Sequence, residues 1–155
     1  QIRIAGNDIT NSKGIRNYIR FSGYGSIIRS MIRRFGLETH VTFIGQLNAV
    51  EMKQEYLKCN VFVCPSTIEN SPNSLGEAQI LGTPIIASYV GGIPDMMKHD
   101  MEHLYRFEEV NMLAKLVCQV FDDKDEQISM KKVAMARHSQ YGNAERLLAI
   151  YNEIK

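Results

Sequence analysis

Residues 61–94 read VFVCPSTIENSPNSLGEAQILGTPIIASYVGGIP. Two short apolar runs, 61–64 and 84–87, flank a polar loop and a stretch with room for one short helix. Apolar runs of this length bounded by turn-forming residues suit the buried strands of a parallel sheet. Two carboxylates, Glu69 and Glu77, stand with seven residues between them across the loop–helix junction. That layout puts acids and unpaired backbone amides beyond a strand's carboxyl end. In open α/β sheets nucleotides bind at that edge, where a helix N-terminus offers N–H donors to an anion.

Upstream, Ile2–Ala5 reads as a strand closed by Gly6-Asn7, and residues 7–25 as a long polar loop ending in Gly23-Tyr24-Gly25. Ile27, Ile28, Met31, Ile32 and Phe35 fall on one helical stripe that Gly36 stops. Residues 41–44 form a second strand ending at Gly45, and 49–59 an amphipathic helix with Val50, Tyr56 and Leu57 facing inward. After the strand 61–64 come a helix at about 74–82, a strand at 84–88 and a short helix opened by Pro94. Leu104-Tyr105 is a strand candidate. From Glu108 the pattern is helical, with Leu113, Leu116, Val117, Val120 and Phe121 on one face until Asp122-Asp123 breaks it. Helices at roughly 124–139 and 143–154 complete the chain. Strands alternating with helices imply right-handed crossovers and a parallel sheet, so the expected fold is a doubly wound, Rossmann-like α/β domain. Residues 1–155 form one such domain, and its opening directly on a strand suggests a fragment of something longer.

The bulk numbers narrow the classes. With 155 residues, 45% hydrophobic and 23% charged, the chain has the composition of an ordinary soluble globular domain. No apolar run approaches the ~20 residues that span a bilayer, and QIRIAGNDIT has no signal-peptide core. The reading is therefore a cytoplasmic protein. Cys59, Cys64 and Cys118 are odd in number without metal-like spacing, which fits reduced thiols. His40, His99, His103 and His138 show no ligand-like spacing, so no metal site is expected. The net charge of +1 hides an asymmetry: residues 1–36 hold seven cations against Asp8, a balance of +6 that leaves −5 for the rest. A basic lobe of that kind suits nucleotide phosphates, an anionic membrane surface met peripherally or an acidic partner domain, and a solvated helix face for Arg29, Arg33 and Arg34. No nucleic-acid partner is expected.

Ser74-Leu75-Gly76-Glu77 has the spacing of a capping box, in which serine and glutamate satisfy two orphan amides reciprocally. A carboxylate fixed in a first helical turn can also accept hydrogen bonds from a ribose diol. Glu69 has no capping role. A solvated surface acid is the commoner fate of such a residue, but Asn70, Ser71, Asn73 and Ser74 beside it make a polar run whose amides could cradle a diphosphate. Val90-Gly91-Gly92-Ile93-Pro94 reads either as a tight connection or as a place where backbone approaches a ligand. Gly6-Asn7 and Gly45-Gln46 would line the same edge of the sheet.

Taken together, VTFIGQL, a helix, and the stretch from residue 61 through Asp95 resemble the C-terminal, donor-binding domain of family 4 ("group 1") retaining glycosyltransferases of the GT-B fold. The resemblance runs from about Ile2 to Leu104, with the glutamate pair, Pro65-Ser66, Gly82-Thr83-Pro84 and Val90-Gly91-Gly92 at its centre. It implies that Glu69 contacts the donor's sugar hydroxyls, that amides near Asn70, Ser71, Asn73, Ser74 and Leu75 hold the distal phosphate, and that Glu77 binds the ribose. It places the base along Gly45, Gln46 and Leu47, with Gly6 on the same edge. It implies a UDP- or GDP-sugar donor, no cofactor and no metal, with cations and helix amides stabilising the leaving diphosphate. The implied acceptor is a glycan or lipid-linked acceptor in cell-surface polysaccharide assembly, at the inner face of the cytoplasmic membrane. The acceptor-binding N-terminal domain and the family's first strand, with its Arg and Lys, have no counterpart here, so the isolated chain is expected to be inactive. No motif assigns Lys13 or Arg16 to those cations, and Asp100-Met101-Glu102-His103 stands where many relatives have a second glycine. Two other readings remain: a nucleotide-sugar 2-epimerase, and a non-catalytic nucleotide-binding or interaction module.

Overall fold

The computed structural model describes residues 1–8, 23–122 and 135–153. The chain divides into two compact units, Gln1–Met52 and Lys53–Lys155. In the first, β1 (Ile2–Ala5) pairs in parallel with β2 (Val41–Gly45). Between them lies α1 (Tyr24–Arg34), which begins inside the stretch expected to be loop: Gly23 is its N-cap, and Tyr24 and Gly25 are already helical. Lys13 and Arg16 lie outside the described residues. The α1 stripe stays largely open, with Ile27, Met31 and Phe35 all exposed.

Helix α2 (Ala49–Lys58) opens on a reciprocal cap. The Asn48 side-chain oxygen accepts from the amides of Val50 at 2.9 Å and Glu51 at 3.0 Å, and the Asn48 amide donates to the Glu51 carboxylate at 2.8 Å. Of the three residues expected inward on this helix, only Tyr56 is buried; Val50 and Leu57 are exposed. Tyr56 wins because it has partners. Its ring meets Phe62 edge to face, and Thr83 Oγ1 donates to its carbonyl at 3.0 Å.

The second unit holds the strands β3 (Phe62–Cys64), β4 (Ile85–Ser88) and β5 (Leu104–Tyr105), paired in parallel in that order. Short as it is, β5 is a true edge partner, with Leu104 opposite Ala87 and Tyr105 opposite Ser88. Helix α3 (Asn73–Leu81) connects β3 to β4 and ends on Gly82 in the left-handed conformation. The four-residue α4 (Ile93–Met96) and a 3-10 turn (Met101–His103) lead into β5. Helix α5 (Val110–Asp122) then packs Leu116 and Val120 against Ile86 and Tyr105, with Leu113 and Val117 at the margin and Phe121 left exposed. Helix α6 (Gln140–Glu153) closes the described chain; most of the helix expected at 124–139 lies outside the described residues.

All four residues of β4 are buried, as a strand covered on both faces requires. Ile86→Ala should therefore cost about 2–5 kcal/mol, the usual range for emptying a packed core site. Ile2→Ala, at a position 58% exposed, should change stability by less than about 1 kcal/mol. Urea unfolding of the two variants checks the contrast.

Candidate functional site

The carboxyl ends of β3 and β4 carry two loops that are locked together. Ser88 closes β4, is fully buried, and donates its hydroxyl to the Ser66 carbonyl at 2.5 Å. Ser66 in turn donates its own hydroxyl to Glu69 Oε1 at 3.2 Å, which leaves Glu69 half-buried on the loop between β3 and α3. Glu69 is thus a tethered acid, not a freely solvated one.

Beyond β4 the chain turns through Gly91, whose φ is +50°. A Cβ on Gly91 would lie 1.6 Å from the Glu69 carbonyl oxygen, and one on Gly92 would lie 2.0 Å from that of Asn70. Both distances are far inside van der Waals contact, so only glycine permits the crossing. Sequence spacing left open whether these glycines admit a ligand or merely a turn; the backbone they admit is that of the Glu69–Asn70 loop itself.

Pro72, with φ −67° and ψ 120°, is the N-cap of α3, and no side chain caps that end. The expected capping box at Ser74 and Glu77 does not form. The helix starts two residues too early for it, because Pro72 supplies the extended cap conformation and puts Ser74 inside the first turn. The Leu75 amide donates to the Pro72 carbonyl at 3.1 Å, and the Leu75 side chain is fully buried. The amides of Asn73 and Ser74 precede any intrahelical acceptor, as the first N–H groups of a helix must. Around them, Asn70, Ser71 and Asn73 are exposed, and the Ser71 hydroxyl reaches the Met96 sulfur at 3.6 Å.

Glu77, on the outer side of α3, has a different partner: the Tyr56 hydroxyl donates to its Oε2 at 3.2 Å. Burial first, then the Glu77 charge, raises the Tyr56 phenol above its usual range, so it remains a donor. Nothing in the periodicity of α2 pointed to this contact. Burial likewise pushes up the Cys59 and Cys64 thiols, keeping them protonated at neutral pH, while Cys118 lies exposed on α5. In the first unit, the Gly6 amide donates to the Gly45 carbonyl at 2.7 Å; both residues have positive φ, and together they close the ends of β1 and β2. Gln46 beyond them is exposed and Leu47 half-buried. Among the described residues, no group of three or more His, Cys, Asp or Glu is placed to hold a metal ion, and no helix is long and apolar enough to cross a membrane.

Parallel strands flanked by helices, with polar loops at their carboxyl ends, define an α/β domain of the GT-B kind, and solved structures agree. The sucrose-phosphate synthase of Thermosynechococcus elongatus superposes with a TM-score of 0.73 at 24% identity, over 97% of this chain and 37% of that one. HepE of Anabaena, solved in complex with UDP, gives 0.73 at 20% identity, over 88% of this chain and 38% of its own. Residues 11–137 match the model of the family "Glycosyl transferases group 1", and the chain belongs to that family. An uncharacterized glycosyltransferase of Methanocaldococcus jannaschii is 30% identical over 78 residues, 50% of this chain and 20% of that protein. The chain thus spans a fifth of that relative's length and less than two fifths of either solved chain.

Gly92→Ala should force the Asn70 carbonyl away and cost about 1–3 kcal/mol, as overpacking does. Thermal unfolding would show the loss, and proteolysis between Ser66 and Pro72 should speed up as the loop is released.

Proposed function

We propose that the chain is the donor-binding half of a retaining glycosyltransferase, which moves a sugar from a nucleotide-sugar to a glycan or lipid-linked acceptor in cell-surface polysaccharide assembly. The acceptor would be held by an N-terminal domain of the same protein, at the cytoplasmic face of the membrane. One observation supports the reading: Glu69 is tethered on a loop that leads into an uncapped helix start and is crossed by the glycine turn of the next loop, and Glu77 follows on that helix.

In this reading Glu69 accepts hydrogen bonds from the donor's sugar ring, and the amides of Asn70, Ser71, Asn73 and Ser74 face the distal phosphate, while that of Leu75 is taken by the Pro72 carbonyl. Glu77 accepts from the ribose, and the base lies along Gly45, Gln46 and Leu47, with Gly6 at the neighbouring strand end. The leaving diphosphate gains negative charge as the glycosidic bond breaks. Helix amides already aimed at it stabilise that charge without reorganisation, and no metal is required. Departure and attack occur on one face of the sugar, so the anomeric configuration is kept. The 155 residues by themselves bind donor and transfer nothing, since positioning the acceptor contributes much of such a rate.

Thermal shift with UDP and GDP tests this. A nucleotide at 100 times its Kd should stabilise the fold by about 2.7 kcal/mol. Glu77→Ala should weaken that nucleotide by roughly 1.5–3 kcal/mol, the worth of hydrogen bonds to a charged group. Glu69→Ala should leave UDP or GDP affinity unchanged and weaken only the matching nucleotide-sugar. If neither nucleotide binds at millimolar concentration, that result would count against the donor-site reading and favour an interaction module. Robust sugar transfer by the isolated chain would overturn its assignment as half an enzyme.

A further inference from the structure

Among the described residues, Tyr56 is the one side chain with a hydrogen bond that ties Glu77 to the buried interior. The residue is 3% exposed, and its ring lies edge to face on Phe62, with centroids 5.3 Å apart and planes at 81°. Its carbonyl accepts from Thr83 Oγ1 at 3.0 Å and from Cys59 Sγ at 3.4 Å. Ring and backbone are both held, so the position of the hydroxyl is set by β3 and by the connection from α3 to β4. That hydroxyl donates to Glu77 Oε2.

Glu77 is exposed on α3, where a glutamate otherwise samples many rotamers. A carboxylate has about four acceptor positions, and the tyrosine takes one of them. The other positions on Oε2, and all those on Oε1, are left for donors from solvent or ligand; among the described residues no other side-chain bond engages Glu77. A hydrogen bond to a charged acceptor is among the stronger kinds, and it fixes direction as well as distance.

We propose that Tyr56 is a positioning residue of the donor site: its hydroxyl presets the Glu77 carboxylate so that the ribose 2′,3′-diol of a nucleoside diphosphate meets an acceptor already in place. The inference rests on the assignment of Glu77 to the ribose. It adds the physical origin of that acceptor's orientation and makes Tyr56 a determinant of selectivity for ribonucleotides over their dideoxy forms. A tie between α2 and α3 that served only stability would affect every ligand equally; a presetting role affects only ligands that carry the diol.

Tyr56→Phe separates the two, because it keeps the ring on Phe62 and deletes only the hydroxyl. Calorimetry on the full 155-residue chain, with UDP and GDP and their 2′,3′-dideoxy counterparts, provides the readout. The expected result is an approximately five- to tenfold loss of affinity for the ribonucleotide, in line with the net worth of one hydrogen bond, and no change for the dideoxy form. Glu77→Gln should abolish the preference, and adding Tyr56→Phe to it should cost nothing more. Thr83→Val, which releases the Tyr56 carbonyl without touching Glu77, should give a smaller loss of the same selective kind, and it serves if Tyr56→Phe does not fold. Equal weakening of both sugar forms in Tyr56→Phe, or no weakening while Glu77→Gln loses the preference, overturns the inference and leaves the Glu77 assignment standing. A wild-type chain without ribose preference, or a Glu77→Gln variant that keeps it, overturns the assignment and the inference together.

Discussion

The arrangement at the sheet edge depends on a backbone crossing that no side chain could survive. Gly91 and Gly92 run over the Glu69 and Asn70 carbonyls at separations where any Cβ would overlap them. Close approach of this kind makes the loops after β3 and β4 a single body. The buried Ser88 hydroxyl stitches them from beneath through the Ser66 carbonyl. Loops are usually the mobile part of an α/β domain. Here an acid on a loop takes its position from the strand next door, which is how a candidate binding group gains the precision of a regular element.

Beneath that edge, the three-stranded sheet supplies the rigidity the crossing requires. Ile85, Ile86 and Ala87 are completely buried, and Leu116 and Val120 of α5 close the underside against Ile86 and Tyr105. Because β3, β4 and β5 are parallel neighbours in chain order, each connection must return to the same end of the sheet before the next strand begins. The ends of β3 and β4 are thereby brought side by side with their polar loops on one edge, although residues 64 and 88 are far apart in the chain.

The parallel strands, the helix between β3 and β4, and the apolar face of α5 were all legible in the sequence, because each is written in local periodicity and in the turn residues that bound it. Even Leu104-Tyr105 could be marked as a strand. What could not be read are matters of phase and of distant partnership. Both Asn48-x-x-Glu51 and Ser74-x-x-Glu77 have cap spacing, yet only the first forms, because a cap must stand just outside the helix and Pro72 has taken that place in the second. Periodicity offered Val50, Tyr56 and Leu57 alike as inward residues; only the presence of Phe62 and Thr83, from elements formed later in the chain, singles out Tyr56. Likewise, a glycine pair announces that something comes close without saying what does.

The two glutamates are both held by hydroxyls, but at different ranges, and the difference has consequences. Ser66 restrains Glu69 from three residues away on the same loop, so acid and restraint move together if that loop is remodelled. Tyr56 restrains Glu77 from another helix, across 21 positions of sequence, so its restraint is part of the core. Under the donor-site reading, the sugar-facing acid is restrained from within its own loop and the ribose-facing acid from a separate helix. On that reading, a change in the loop that alters the position of Glu69 would leave the Glu77 anchor where the core has put it.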